Sequence, residues 1–137
     1  MKNLTELEST LTAFSEEIKL DCALDEVTAK EKIGLLAIIR HKWVARMIRI
    51  KQQVIILQRR RRDLINSAIA SSKMPAVQLS DRALAARAAN NPIIVEIDDQ
   101  IENHQLVVEY LEKVEKILLA MGHDASNLVN LIKLETN

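Results

Sequence analysis

Glycine and proline are almost missing from this 137-residue chain, at two residues each. These residues punctuate sheets and tight loops, so their scarcity beside abundant Leu, Ile, Ala, Glu, Lys, Arg and Gln argues for long helices. Aromatic rings are limited to Phe14, Trp43 and Tyr110. A core with so few large rings has to be built from aliphatic side chains interlocking along helix seams, which suits bundles and coiled coils. The single cysteine, Cys22, has no disulfide partner in the chain and no second thiol at metal-ligand spacing, and it reads as a small semi-buried structural residue. There is no run of about 18 uncharged apolar residues, and the N-terminus starts with Asn3, Glu6 and Glu8 rather than with a basic segment leading into an apolar one. A cytoplasmic protein with no membrane partner is expected.

Net charge is also absent, since 19 basic residues balance 19 acidic ones, but the two signs are segregated. Residues 1–29 hold two basic and seven acidic residues, residues 30–62 hold eleven basic and one acidic, and residues 93–137 hold three basic and nine acidic. Two acidic arms therefore flank a central segment of net +10. Self-repulsion of that segment has to be relieved by phosphate, by an acidic protein surface or by the chain's own ends.

Apolar periodicity supplies the architecture. Leu4, Leu7, Leu11, Phe14 and Ile18 fall at intervals of three and four, which predicts an amphipathic first helix. Asp21 to Asp25 interrupts it, and Asp25 or Thr28 can cap a second helix that runs without proline to Ser71 or Ser72, about 65 Å at 1.5 Å per residue. Leu36, Trp43, Ile50, Leu57 and Leu64 recur every seven residues along it, with Ile39, Met47 and Val54 beside them, the pattern of laterally packed helices. Lys73-Met74-Pro75 should stop this helix and open a linker over 71–79. Ser80 and Asp81 can then cap a short Ala-rich helix ending at Ala89, and Asn90-Asn91-Pro92 breaks the chain again, so that 71–92 forms a mobile crossover. A last long helix is expected from Ile93 to Met121, with Ile94, Ile97, Ile101, His104, Val108, Leu111 and Leu118 on its seam. Gly122 is placed to end it, and Asp124 to cap a final helix carrying Leu128, Leu131, Ile132 and Leu134. The fold class expected is all-α: a long helical hairpin with short flanking helices, oligomerising through apolar seams. The chain divides into an acidic amphipathic helix (1–24), a long basic helix (25–72), a linker with a short helix (73–92) and acidic C-terminal helices (93–137).

The strongest local feature is Arg59-Arg60-Arg61-Arg62, preceded by Arg40, Lys42, Arg46, Arg49 and Lys51 with no acid between Lys32 and Arg62. A helix so charged can track a phosphate backbone, and these nine residues form the candidate DNA-binding set. Four successive arginines sweep about 300° around a helix, so at least one must approach the packed seam. The plain alternative is a solvated face paired with Glu96, Asp98, Asp99 or Glu102. Binding of single strands usually adds aromatic platforms, and the basic segment has only Trp43, which sits on the heptad stripe as a core residue. Backbone binding with little sequence preference is the consequence. His41, His104 and His123 stand in separate contexts with no second ligand at helical spacing, no Gly-rich phosphate loop occurs, and no nucleophile has an evident base. Neither an enzyme nor a metal or other cofactor is expected.

The order of these features resembles the recombination mediator proteins of T-even-type phages, the UvsY family, over most of residues 25–135. The family pattern of basic, small, basic, leucine, aspartate after its long helix corresponds here to Arg59-Arg60-Arg61-Arg62-Asp63. Leu106-Val107-Val108-Glu109-Tyr110-Leu111-Glu112, followed by Ile117 and Gly122, is similar to the family's last long helix and its glycine break. Arg60 and Arg62 replace less charged types, and Leu64 and Ile65 stand where aromatics are common. The resemblance implies a protein that binds single-stranded DNA and helps load a RecA-like recombinase onto DNA covered by single-strand DNA-binding protein, in phage recombination, repair and replication. It also implies a homo-oligomer, a ring of about six to eight copies, for which a cyclic interface of exposed seams is sufficient. Ile97, Ile101, Val108, Leu111, Leu118, Leu128 and Leu131 are the oligomerisation candidates. Two rival readings remain: a helical-hairpin chaperone or assembly scaffold whose arginines pair internally, and a ring-forming terminase small subunit, for which no helix-turn-helix precedes the long helix.

Overall fold

A computed structural model describes residues 3–72 and 80–136, and these form four helices with no strand among them. Helix α1 spans Leu4–Cys22, α2 Ala29–Ser72, α3 Asp81–Ala88 and α4 Pro92–Thr136. The fold is the all-α hairpin expected. The expected linker residues 73–79, with the Lys73-Met74-Pro75 stop, lie outside the described residues.

Capping sets the helix starts. Asn3 accepts a hydrogen bond from the Glu6 amide at 2.8 Å at the head of α1. Ahead of α2, Asp25 Oδ1 accepts from the Thr28 amide at 2.8 Å and from its hydroxyl at 3.0 Å, while Thr28 Oγ1 accepts from the Asp25 amide at 3.2 Å. The two bonds from Thr28 to the carboxylate, its amide first and its hydroxyl second, hold Asp25 below the ordinary aspartate range, because both favour the ionised form. Ser80 Oγ accepts from the Ala83 amide at 3.2 Å and starts α3, and Pro92 opens α4, where a missing N–H costs nothing.

The two long helices, 44 and 45 residues, run antiparallel. Asp98 meets Arg61, Glu112 meets Lys51, Glu115 meets Arg40 and Gly122 meets Leu36, so numbers fall along α2 as they rise along α4. Between them, and under α1, lies a core of Leu7, Ile18, Trp43, Val107, Leu111, Val114, Leu118 and Met121. Burial of each such aliphatic side chain is worth about 1.5–3 kcal/mol. The heptad stripe of α2 faces this core as its spacing requires, with Trp43 buried and Leu36, Ile39, Met47 and Ile50 packed around it.

Two details differ from the sequence expectation. On α4 the inward position after His104 is Val107, fully buried, whereas Val108 is only half-buried. Both choices preserve the seven-residue step from His104 to Leu111, so periodicity alone does not distinguish them. The second correction concerns Gly122: α4 does not end there but continues to Thr136, and Gly122 has no left-handed backbone. A Cβ at that position would stand 2.9 Å from Leu36 Cδ2, so the glycine allows close approach of α2 rather than a helix stop. Met121 and Ala125 are buried on either side of it, which carries the seam through the expected break, and Asp124 is an exposed mid-helix residue rather than a cap.

Candidate nucleic-acid interface

The nine basic residues proposed from the sequence divide into two groups along α2. At the end nearest α1, the chain's own acids meet them. Asp21 Oδ2 accepts from Lys42 Nζ at 2.6 Å and from the Trp43 indole N–H at 2.8 Å. Glu17 forms a two-pronged pair with Arg46, whose guanidinium lies 4.8 Å from the Trp43 ring centroid and 5.4 Å from that of Phe14. Cation–ring contact and bidentate pairing together suit arginine better than lysine at this position. Burial first, and the neighbouring Arg49 charge second, pull Arg46 below the ordinary arginine range; it remains a cation at any physiological pH. Arg40 pairs with Glu115 at 3.7 Å and Lys51 reaches Glu112 at 3.9 Å. Trp43, packed edge-on by Phe14, is buried in the core.

The arginine tract near the other end of α2 is treated differently. Arg61 turns toward α4 and pairs with Asp98, Nε to Oδ1 at 2.5 Å. This is the arginine that helical geometry forces toward the packed side. Arg62 has only its sequence neighbour Asp63 at 3.7 Å, with both side chains about two-thirds exposed, a weak solvated pair. Arg59 and Arg60 are exposed and, like Arg49 further down the helix, have no ion-pair partner among the described residues. Arg61 and Arg62 also border a groove of about 390 Å³ with Gln58, Ile65, Asn66 and Ile101. The surface thus carries uncompensated cations beside a recess of mixed polar and apolar lining.

The sequence reading did not include Arg82 and Arg87 of α3. Both are exposed, and α3 packs against α2 through the buried Leu84. Their signal was available as the only charges besides Asp81 in an Ala-rich helix, but nothing in the linear order brings them near residues 59–62.

Of the seven oligomerisation candidates, Ile97, Leu111 and Leu118 are buried inside the subunit. Ile101, Val108 and Leu128 are half-buried, and Leu131 is exposed. Large apolar side chains left open include Ile38, Ile48 and Ile55 on α2, and Leu106 and Ile117 on α4. Among the described residues no helix is long and apolar enough to cross a membrane, and no group of three or more His, Cys, Asp and Glu could hold a metal ion.

Two antiparallel helices of about 65 Å, an acidic amphipathic helix laid on one end and a short helix on α2 define a class of fold: an elongated all-α hairpin. The crystal structures with this architecture include the bacteriophage T4 recombination mediator protein UvsY in three lattice types. One matches with a TM-score of 0.75 at 10% identity, over 91% of this chain and 98% of that one. The others give 0.74 at 11% identity over 93% and 98%, and 0.71 at 9% identity over 88% and 97%. This chain is similar to UvsY in fold, across nearly the whole length of both. No family model matches the sequence, and no curated protein matches it significantly.

Proposed function

We propose that this protein is a phage recombination mediator: an oligomer that binds single-stranded DNA along the arginine tract of α2 and helps a RecA-like recombinase replace single-strand DNA-binding protein. The observation that carries this reading is the uneven use of carboxylates. Acids meet Lys42, Arg46, Arg40 and Lys51 within the subunit, yet Arg59 and Arg60 meet none among the described residues. A chain with 19 acidic residues has enough carboxylates to neutralise that tract, and a surface left cationic suits a polyanion. A scaffold reading needs Glu96, Asp98, Asp99 and Glu102 to neutralise the arginines internally, and only Asp98 pairs with one of them.

The chemistry required is non-covalent. Phosphate contacts by exposed arginines give affinity without sequence preference, and with Trp43 buried no aromatic platform lies in the tract. Self-association through the exposed Ile38, Ile48 and Ile55 side chains multiplies a modest patch into a high-avidity surface. Ile101, Val108, Leu128 and Leu131 remain accessible enough to contribute, while Ile97, Leu111 and Leu118 would act by supporting the hairpin beneath. The fold shared with UvsY supports this reading over its rivals.

The test is recombinase assembly on DNA precoated with single-strand DNA-binding protein, followed by the recombinase's DNA-dependent ATP hydrolysis. Addition of this protein shortens the lag before hydrolysis if the reading holds. An unchanged lag across a wide range of protein concentration contradicts it.

A further inference from the structure

The cations left without acids are not confined to α2. Helix α3 carries Arg82 and Arg87, both exposed and with no carboxylate at ion-pair distance among the described residues. Arg82 lies two residues before the buried Leu84, about 160° around the helix, on the side facing solvent. Arg87, three residues after Leu84, lies about 60° from it, on the flank of the contact with α2.

Chain geometry places this helix beside the tract. The pair between Arg61 and Asp98 fixes the level of α4 against α2. Pro92 opens α4 about 9 Å before Asp98 along the axis. Three residues separate it from α3, folded tightly by bonds from the Asn90 amide to Arg87 O at 3.3 Å and from the Asn91 amide to Ala88 O at 2.9 Å. The C-terminal turn of α3, with Arg87 on it, is therefore held within a few helical turns of Arg61, and α3 itself packs on α2.

We propose that Arg82 and Arg87 form a second row of phosphate contacts, widening the arginine tract into a two-helix surface for a single-stranded polynucleotide backbone. This rests on the nucleic-acid reading above and assigns residues and a direction to it. The strand leaves the α2 face across α3 rather than continuing down α2, where Glu112, Glu17 and Asp21 already hold Lys51, Arg46 and Lys42 and Arg49 alone is without an acid among the described residues. Ion-pair chemistry within the chain thereby sets the path. Ala83, Ala85 and Ala86 keep α3 low and unobstructed between its two arginines, and Leu84 anchors it.

The experiment is fluorescence-anisotropy titration of a labelled oligothymidylate across a salt series, with wild type, R82Q/R87Q, R82K/R87K and R59Q/R60Q compared, and circular dichroism and light scattering on each sample. Each phosphate contact contributes about 0.7 to the slope of log affinity against log salt for single strands. R82Q/R87Q is expected to flatten the slope by about 1.4 per engaged subunit and to weaken binding roughly 10- to 25-fold at 0.1 M salt, with helicity and mass unchanged. R82K/R87K is expected to restore both, which a merely structural role of the guanidinium would not permit. If R59Q/R60Q weakens binding but R82Q/R87Q leaves slope and affinity intact, or if the lysine variant restores neither, the α3 assignment is overturned and the nucleic-acid reading stands. If wild-type protein does not bind at low salt, both are overturned.

Discussion

The Trp43 indole donates its N–H to Asp21 across 2.8 Å, tying the last turn of the acidic helix α1 to the middle of the basic helix α2. The same carboxylate oxygen accepts from Lys42, so one side chain satisfies a buried aromatic donor and offsets a cation. Removal of the acceptor leaves the indole N–H without its partner in a mostly dry site.

Asp21→Ala is therefore expected to destabilise the fold by about 1–3 kcal/mol, the cost of an orphaned polar group beside an unpaired charge. Urea unfolding followed by Trp43 fluorescence measures it directly. A loss within about 0.5 kcal/mol of zero, the range of ordinary surface substitutions, would place the bond among solvated contacts of little consequence.

The two glycines give opposite expectations for the same change. Gly34 lies on an exposed face of α2 with nothing within 4 Å of an added Cβ, so Gly34→Ala gains the helix propensity of alanine, about 1 kcal/mol. Gly122→Ala gains the same propensity but drives a methyl to 2.9 Å from Leu36 Cδ2, which must rotate away from its packing. Thermal unfolding of the two variants should rank Gly34→Ala above wild type and above Gly122→Ala. The reverse order would mean that α2 and α4 are not in the register described.

Within the arginine tract, position decides whether charge reversal affects binding alone. Arg59→Glu changes an exposed, unpaired cation and should weaken single-stranded DNA binding about tenfold or more without moving the unfolding midpoint. Arg61→Glu sets a carboxylate against Asp98 and should lower both affinity and stability. Affinity and unfolding measured on both variants separate the two roles; equal loss of stability in both would contradict the partition.

Much of this architecture was legible in the chain because helix seams repeat. The stripe through Leu36, Trp43, Ile50 and Leu57, the caps at Asp25 and Thr28, Ser80 as the α3 cap and Pro92 as a first-turn residue all follow from local rules that act within a few residues. Gly122 did not follow, since its reason lies in Leu36, 86 residues earlier. Val107 and Val108 were indistinguishable for a similar reason: a seven-residue step can be divided as three and four or as four and three, and the accumulated phase of a whole helix decides. For the candidate interface, composition pointed to the basic segment but not to its division. That Glu17 and Asp21 reach Arg46 and Lys42 depends on how α1 lies across the hairpin, and that α3 packs on α2 depends on a crossover whose course no periodicity encodes.

The cap at the start of α2 should hold until the pH falls below the ordinary aspartate range. Asp25 has its pKa lowered by its hydrogen bonds to Thr28, so the stabilisation it gives is present above the unfolded aspartate value and is lost as pH falls through the lower folded value. The Thr28 amide, which donates to that carboxylate, reports the titration by its chemical shift. A midpoint below the ordinary aspartate value is expected, and one at or above it would show that the cap is not formed in solution.

The central claim is that an oligomer of this chain presents an uncompensated cationic surface to single-stranded DNA. Anisotropy of a labelled oligonucleotide, titrated with wild-type protein from low to high salt while light scattering records mass on the same sample, tests it most directly. Binding by an oligomer is expected, with log affinity falling linearly and steeply with log salt and little difference between sequences. Absence of binding at low salt, or binding indifferent to salt, would contradict it.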